Sequence, residues 1–458
     1  MQMWLTINNF AKIEYAKACV NKFTLLVGPN NCGKTFLMQL IEGINDYWNI
    51  LIDESVMNTL LIDDLPEYKV YELSKYNLDE FLNKLNNNIY KQKENIISEI
   101  FKREIPIQNL SVDIQLEENE EYLMYHIDKT QALDQLPKNV GNSPNFIGAV
   151  MLGHENTAIE CMIKKTYDKP NGEFAEAIIG PRLKYCESNM VNLLQKGSLF
   201  MPASRSGLMM LYREYFANKT DDNILVQTNT QRTENVGTTN LTTPVYRFLR
   251  FLQTYTEDER IKKKFEKELE FYDNNIIEGH INAKTQQGLA YNANSGEAVP
   301  MYLASAMVNE VAPIYLATTS TSFYDRFIID EIEASLHPEK QMELVRFLNR
   351  LYNKGKSFVI STHSDTFVSQ INNLSILAEY VGKTKDTEAV SKFGIEMEDM
   401  VSQKDLFVYE FIKKNNGKSE VKERKFNEKL GYQFDLFTNT ALKLYDEAVK
   451  LGDIVNHE

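Results

Sequence analysis

Gly28-Pro29-Asn30-Asn31-Cys32-Gly33-Lys34-Thr35 fits the pattern G-x-x-x-x-G-K-[S/T], and it follows directly on Phe23-Thr24-Leu25-Leu26-Val27. That five-residue run is apolar and reads as a buried strand. Behind the loop, Phe36, Leu37, Met38, Leu40 and Ile41 recur at helical spacing. A strand, a glycine-bounded loop and a helix make an anion cradle, because loop N–H groups and the positive end of the helix converge on one point. Gly28, Asn30, Asn31, Cys32 and Gly33 form the cradle, Lys34 is placed to reach the β- and γ-phosphates, and the Thr35 hydroxyl is placed to help hold Mg²⁺. A chance turn carrying a lysine would not match all four fixed positions with the correct flanks. The stretch predicts a purine-nucleotide site.

Two further apolar runs end in polar clusters. Phe327-Ile328-Ile329 leads into Asp330-Glu331, and the chain continues Ile332-Glu333-Ala334-Ser335-Leu336-His337-Pro338. At the end of a strand beside the phosphate loop, Asp330 would bind Mg²⁺ through water and Glu331 would polarise an attacking water as general base. Ser357-Phe358-Val359-Ile360 leads into Ser361-Thr362-His363-Ser364, with room before it for a helix over 339–352. Alone, His363 would read as a hydrogen-bonded structural histidine. Third in an ordered set of strand ends, it is placed to sense a γ-phosphate or hold the water.

The set GPNNCGKT, FIIDE, EASLHP and STHS resembles the ATP-binding-cassette-type P-loop ATPases, and more narrowly their prokaryotic OLD, SMC and RecF-like branch. The resemblance implies Walker A at Gly28–Thr35, Walker B at Asp330 with catalytic Glu331, a D-loop at Ser335-Leu336-His337-Pro338 and a switch histidine at His363. It also implies ATP and Mg²⁺ as ligands, and an active site completed by a signature motif from a second copy. Ser305 is taken as the signature serine: it lies nearer the family spacing from Asp330 and is a fitting N-cap for a helix through Met307, Val308, Val311 and Leu316. The rival stretch Asn294-Ser295-Gly296-Glu297 reads as a hairpin turn, since Pro300 would interrupt a following helix. The family glycine is replaced by Ala306 or Met307, so slow or conditional hydrolysis is expected. Pro202-Ala203-Ser204-Arg205 resembles a P-A-x-R element of these small ATPases, with Arg205 either pairing with phosphate or locking the lobes together.

The implied fold is α/β: an ABC-ATPase-like core, with a P-loop sheet and an antiparallel β layer, plus helical insertions and no long coiled coil. The expected boundaries are an ATPase lobe with Walker A at 1–60 and 106–205, helical insertions at 61–105 and 206–285, and a second lobe at 286–381. A C-terminal hairpin and helix occupy 382–458. The 458 residues suffice for two or three domains, and 43% hydrophobic with 25% charged residues is ordinary for a globular chain. No apolar run is long enough to span a membrane and no signal segment opens the chain. The four cysteines form no metal or disulfide pattern, so a reducing, cytoplasmic setting is expected.

A net charge of −14 argues against a module that coats nucleic acid. Residues 413–429 hold seven basic and three acidic side chains. A solvated hairpin is the plainer reading there, and contact with nucleic acid or an acidic partner the alternative. The architecture resembles the ATPase subunits of bacterial anti-phage systems such as Septu and PARIS, which implies a homo-oligomer, an ATP-sandwich dimer or larger, serving a separately encoded nuclease or toxin effector. A RecF-like ATPase clamping DNA directly is the alternative. A phosphoryl-transferring kinase would leave Glu331 and His363 without a use.

Overall fold

Strands buried on both faces read as unbroken apolar runs, and this is how the three strands around the nucleotide motif are written. In the computed structural model the described residues are 1–64, 68–117, 120–127, 159–166, 190, 194, 197–213, 215–216, 241–285, 288–294, 296 and 298–456. The strands in chain order are β1 (Gln2–Phe10), β2 (Ile13–Cys19), β3 (Phe23–Val27), β4 (Leu61–Asp64), β5 (Tyr68–Leu73), β6 (Asn109–Gln115), β7 (Glu120–Ile127) and β8 (Ile159–Thr166). They continue with β9 (Ser198–Met201), β10 (Gly279–Thr285), β11 (Gly288–Ala293), β12 (Ala298–Pro300), β13 (Arg326–Ile329), β14 (Ser357–Thr362), β15 (Leu406–Lys413) and β16 (Ser419–Glu423). The architecture is α/β, and no long coiled coil is evident among the described residues.

The chain divides into two compact units. The first holds residues 1–11, 15–21 and 40–196. In it β6, β1 and β2 lie side by side, β1 antiparallel to β6, and a separate antiparallel sheet runs β4–β5–β7–β8. Residues 61–64 and 68–73, expected within a helical insertion, form β4 and β5 instead; the amphipathic pattern that suggests a helix begins only at Leu78. The Leu78–Phe101 helix buries Phe81, Leu85, Ile89, Ile96, Ile97 and Ile100. Asn86 ties this helix to β6, accepting from Val112 N (2.7 Å) and donating to its carbonyl (2.9 Å).

The second unit, residues 12–14, 22–39 and 197–458, contains every motif singled out above. Its sheet is ordered β16–β15–β3–β14–β13–β9. All of these run parallel except β16, which returns antiparallel to β15. Helices Ala306–Thr319, Pro338–Asn353 and Asp365–Thr384 supply buried side chains to one core with these strands. Ligands of such sheets bind in the crevice outside the carboxyl ends of the strands. Here those ends are Gly28, Asp330 and His363, so strand order alone gathers the motifs.

The hairpin expected beyond the ATPase core is hydrogen-bonded into that sheet: β15 is the parallel neighbour of β3, from Leu406 opposite Phe23 to Glu410 opposite Val27. Its basic residues are partly spent inside the unit. Lys414 pairs with Glu14 (2.9 Å) and Glu420 (3.2 Å), and Arg424 with Glu410. The Asn294–Glu297 stretch connects β11 to its antiparallel partner β12, as a hairpin turn would; Ser295 and Glu297 themselves lie outside the described residues. Among the described residues, no helix is long and apolar enough to cross a membrane.

One buried carboxyl makes stability depend on pH. Asp273 opens a π-helical turn over Asp273–Ile277, its Oδ1 is buried without a hydrogen-bond partner among the described residues, and burial pushes its pKa up to about 7. A folded-state value raised above the unfolded one means the proton is held better by the folded chain. The stability is therefore complete below about pH 4 and is lost as pH rises through 7. Asp273→Asn is expected to raise Tm by about 2 °C at pH 8.5 and to leave it unchanged at pH 4, read by thermal melts at both pH values.

Candidate active site

The loop after β3 owes its shape to three positive φ angles: Gly28 at 153°, Asn31 at 60° and Gly33 at 106°. A side chain at Gly28 would meet Phe411 of β15, whose Cβ would lie 2.8 Å from an added Cβ. One at Gly33 would lie 2.7 Å from Ile13 Cγ1. Asn30, Asn31 and Thr35 are exposed, while Cys32 and Lys34 are buried. Lys34 Nζ donates to the carbonyls of Gly28 and Pro29, each at 3.0 Å, and lies 3.6 Å from Cys32 Sγ. Burial lowers its pKa, opposed by Cys32, Asp330 and Glu331.

Beside the loop, Asp330 ends β13 with both carboxylate oxygens engaged. Oδ2 accepts from Thr35 Oγ1 (2.6 Å) and Oδ1 from Ser361 Oγ (2.5 Å). Ser361 is fully buried on β14, and its hydroxyl also accepts from Glu331 N (2.8 Å). A single hydroxyl thus fixes both members of the carboxylate pair. In the sequence Ser361 is one member of a polar cluster, and nothing local distinguishes it from the other hydroxyls of that strand.

An open cavity of about 430 Å³ is lined by Asn30, Glu331, Glu333, Ala334 and His363. Glu331 sits at φ 48°, which turns its side chain away from the strand direction, and its Oε1 lies 3.9 Å from His363 Nε2. Burial, then Asp330 and Glu333, raise the Glu331 pKa. Burial, then Lys34, lower that of His363. Glu333 accepts from the His363 backbone N–H (2.6 Å), and its Oε2 is buried with no hydrogen-bond partner among the described residues. A base that is partly exposed, flanked by carboxylates and opposite a neutral-leaning imidazole can take a proton from water near neutral pH.

Ser305 stands at the N-terminus of the Ala306–Thr319 helix, as its position suggested, with Oγ accepting from Val308 N (3.3 Å). It is exposed and lines no part of the cavity, and its neighbours Tyr302 and Leu303 are 60% and 65% exposed, so an apolar surface flanks that helix end. Arg205 resolves differently from the phosphate alternative: it is fully buried and spends its donors on backbone carbonyls. Its carboxylate partner is Glu310, which carries no motif of its own.

A phosphate loop, a strand ending in two carboxylates and a strand ending in histidine, all at the carboxyl ends of neighbouring parallel strands, define a P-loop ATPase domain. A family model supports this directly: residues 3–368 match the AAA ATPase domain, and the chain belongs to that family. No curated protein matches the sequence. Among solved structures the chain is similar to the SMC head domain from Thermotoga maritima, with 10% identity and a TM-score of 0.33 over 93% of this chain and 100% of that one. It is also similar to an SMC head bound to the C-terminal winged-helix domain of ScpA, with 11% identity and a TM-score of 0.35 over 93% of this chain and 98% of that one. A third likeness is the Smc head domain with an extended coiled coil bound to the C-terminal domain of ScpA, derived from Pyrococcus furiosus, at 10% identity and a TM-score of 0.32 over 97% of this chain and 98% of that one.

Proposed function

We propose that this chain binds and hydrolyses ATP in a site shared between two copies, and that the cycle of closing and opening drives a separate effector. The observation that carries the reading is that hydrogen bonds link Thr35 of the phosphate loop through Asp330 and Ser361 to Glu331, which lines a cavity together with Asn30, Glu333 and His363. The loop N–H groups and Lys34 hold the phosphates. Glu331 takes the proton of the attacking water as the water's oxygen bonds to the γ-phosphorus and the bond to ADP breaks, leaving ADP and inorganic phosphate. His363, kept neutral by burial and Lys34, donates to the transferring group or orients the water.

The donor set of one hydroxyl and one carboxylate, Thr35 and Asp330, suits Mg²⁺, which keeps most of its waters and takes its remaining ligands from phosphate. When bound, the ion would neutralise charge developing on the phosphate oxygens. Ser305 would approach the γ-phosphate of a second copy, its helix N-terminus adding partial positive charge. The exposed Tyr302 and Leu303 beside it suit burial against that copy. We further assign the effector to a separately encoded nuclease or toxin of an anti-phage system, a step supported by the motif resemblance. Internal pairing of Lys414 and Arg424 weighs against direct clamping of DNA. The test is sizing of the Glu331→Gln chain with and without ATP and Mg²⁺: an ATP-dependent dimer or larger species supports the shared site, and a persistent monomer overturns it.

The raised pKa of Glu331 sets the acid limb of the rate. Below its pKa the carboxyl is protonated and cannot accept a proton, so kcat/KM should fall at a pH above the ordinary carboxylate range. Glu333→Gln removes one of the charges that raise it. The acid limb should therefore move to lower pH, as read from a kcat/KM profile between pH 4.5 and 9 in both chains.

A further inference from the structure

Arg205 joins two parts of the second unit that the reaction would otherwise use separately. Its Nε donates to the carbonyl of Glu310 (2.9 Å), and Nη1 donates to the carbonyls of Pro202 (3.1 Å) and Asp330 (2.5 Å). Nη2 donates to the carbonyl of Glu331 (3.1 Å). The carboxylate of Glu310 lies 3.1 Å from Nε through Oε2 and accepts from Ser206 N (3.0 Å) through Oε1. Arg205 is 0% and Glu310 2% exposed, so this is a desolvated pair in which each charge depends on the other.

Each end of the pair leads to a site residue. At one end, Glu331 is a non-glycine residue at φ 48°, a conformation that persists only where the surroundings hold it, and Arg205 holds its carbonyl. At the other end, Glu310 follows Asn309, whose buried amide donates to the carbonyls of Met301 (2.9 Å), Ala304 (3.2 Å) and Ser305 (3.3 Å). The start of the helix is therefore fixed to Ser305. Further along, Pro313 offers no N–H to the carbonyl of Asn309, which frees the first turns to tilt against the rest of the helix.

We propose that Arg205 and Glu310 are positioning residues that couple the two composite sites: a nucleotide of the second copy seated on Ser305 moves the first turns of the helix, and the pair transmits that movement to the backbone of Asp330 and Glu331. Hydrolysis in one site then depends on occupancy of the other. This inference rests on the shared-site reading of the previous subsection. Arginine suits the role because its planar fork reaches four carbonyls, which a lysine ammonium cannot match.

The test compares ATP hydrolysis against ATP concentration for the wild-type chain, Arg205→Lys and Glu310→Gln, together with binding of a fluorescent ATP analogue. The wild type should show a sigmoidal rate curve. Both variants should lose about tenfold or more in kcat, keep analogue affinity within about twofold, and turn hyperbolic. Glu310→Gln keeps the volume and the acceptor for Ser206 N–H, so it carries the test if Arg205→Lys folds poorly. Wild-type kcat in both variants, or loss of analogue binding in step with rate in both, overturns the coupling while leaving the shared site standing. A wild-type chain that hydrolyses no ATP overturns both readings.

Discussion

Lys34→Ala is expected to reduce kcat/KM for ATP by about a thousandfold while leaving Tm within a few degrees of wild type. The ammonium is buried at 5% exposure and is held on the inner face of its own loop by the carbonyls of Gly28 and Pro29. Held there, it is placed to meet phosphate as a fixed donor, and losing one such donor to a charged transition state costs about 100- to 1,000-fold. Lys34 sits in a loop and the first turn of a helix, so its removal takes away little packing. Thr35, Ser361 and Asp330 keep their mutual hydrogen bonds without it. A mixing experiment sharpens the expectation. If Ser305 completes the site of a second copy, then Lys34→Ala and Ser305→Arg chains are each inactive alone. Random pairing gives half mixed dimers with one intact site of two, so activity should return to about a quarter of wild type at most, and to less than that where hydrolysis depends on occupancy of the other site. Phosphate release from the equimolar mixture is the measurement. A mixture as inactive as its parts would show that pairing restores no working site.

Glu331→Gln should lower kcat by about 100- to 10,000-fold and tighten, not weaken, retention of ATP. Glutamine keeps the shape of the side chain and cannot take the proton of the attacking water. It also removes a negative charge next to Asp330 and Glu333, so ATP⁴⁻ enters a less repulsive cavity. The result is a bound, unhydrolysed nucleotide, visible as radiolabelled ATP retained through gel filtration. Release of ADP at the wild-type rate would remove Glu331 from the role of base.

The three strand ends were legible because each strand is buried on both faces, which leaves Val, Ile, Leu and Phe as an unbroken run, and because polar residues can follow only where the strand leaves the core. The turn at Gly28 could be read for a related reason: Gly28 and Gly33 both take φ angles that few other residues accept. Residues 61–73 were harder. Their short strands lie next to a strongly periodic helix at 78–101, and the stronger signal spread over the weaker one. The parallel pairing of β15 with β3 left no trace at all, since it joins stretches nearly the whole chain apart and neither segment records its neighbour.

Arg205 marks the limit of reading from sequence. Its motif suggested importance and left phosphate and lobe contacts equally open, because a guanidinium is suited to both. Burial decided the matter, and burial is a property of everything packed around the residue. Ser361 and Glu310 are similar cases: one is a hydroxyl among several on β14, the other the lone carboxylate of an apolar helix, whose partner no local pattern records. By itself the sequence determined that this chain carries a P-loop, a carboxylate pair and a histidine at successive strand ends, since local composition and spacing encode those features. Only the tertiary structure decided which hydroxyl holds Asp330, which cation holds Glu331 in its left-handed turn, and that the helix of Ser305 is tied to both. Those contacts join residues 30 to more than 120 positions apart, and their strength comes from exclusion of water in a core that no single segment builds.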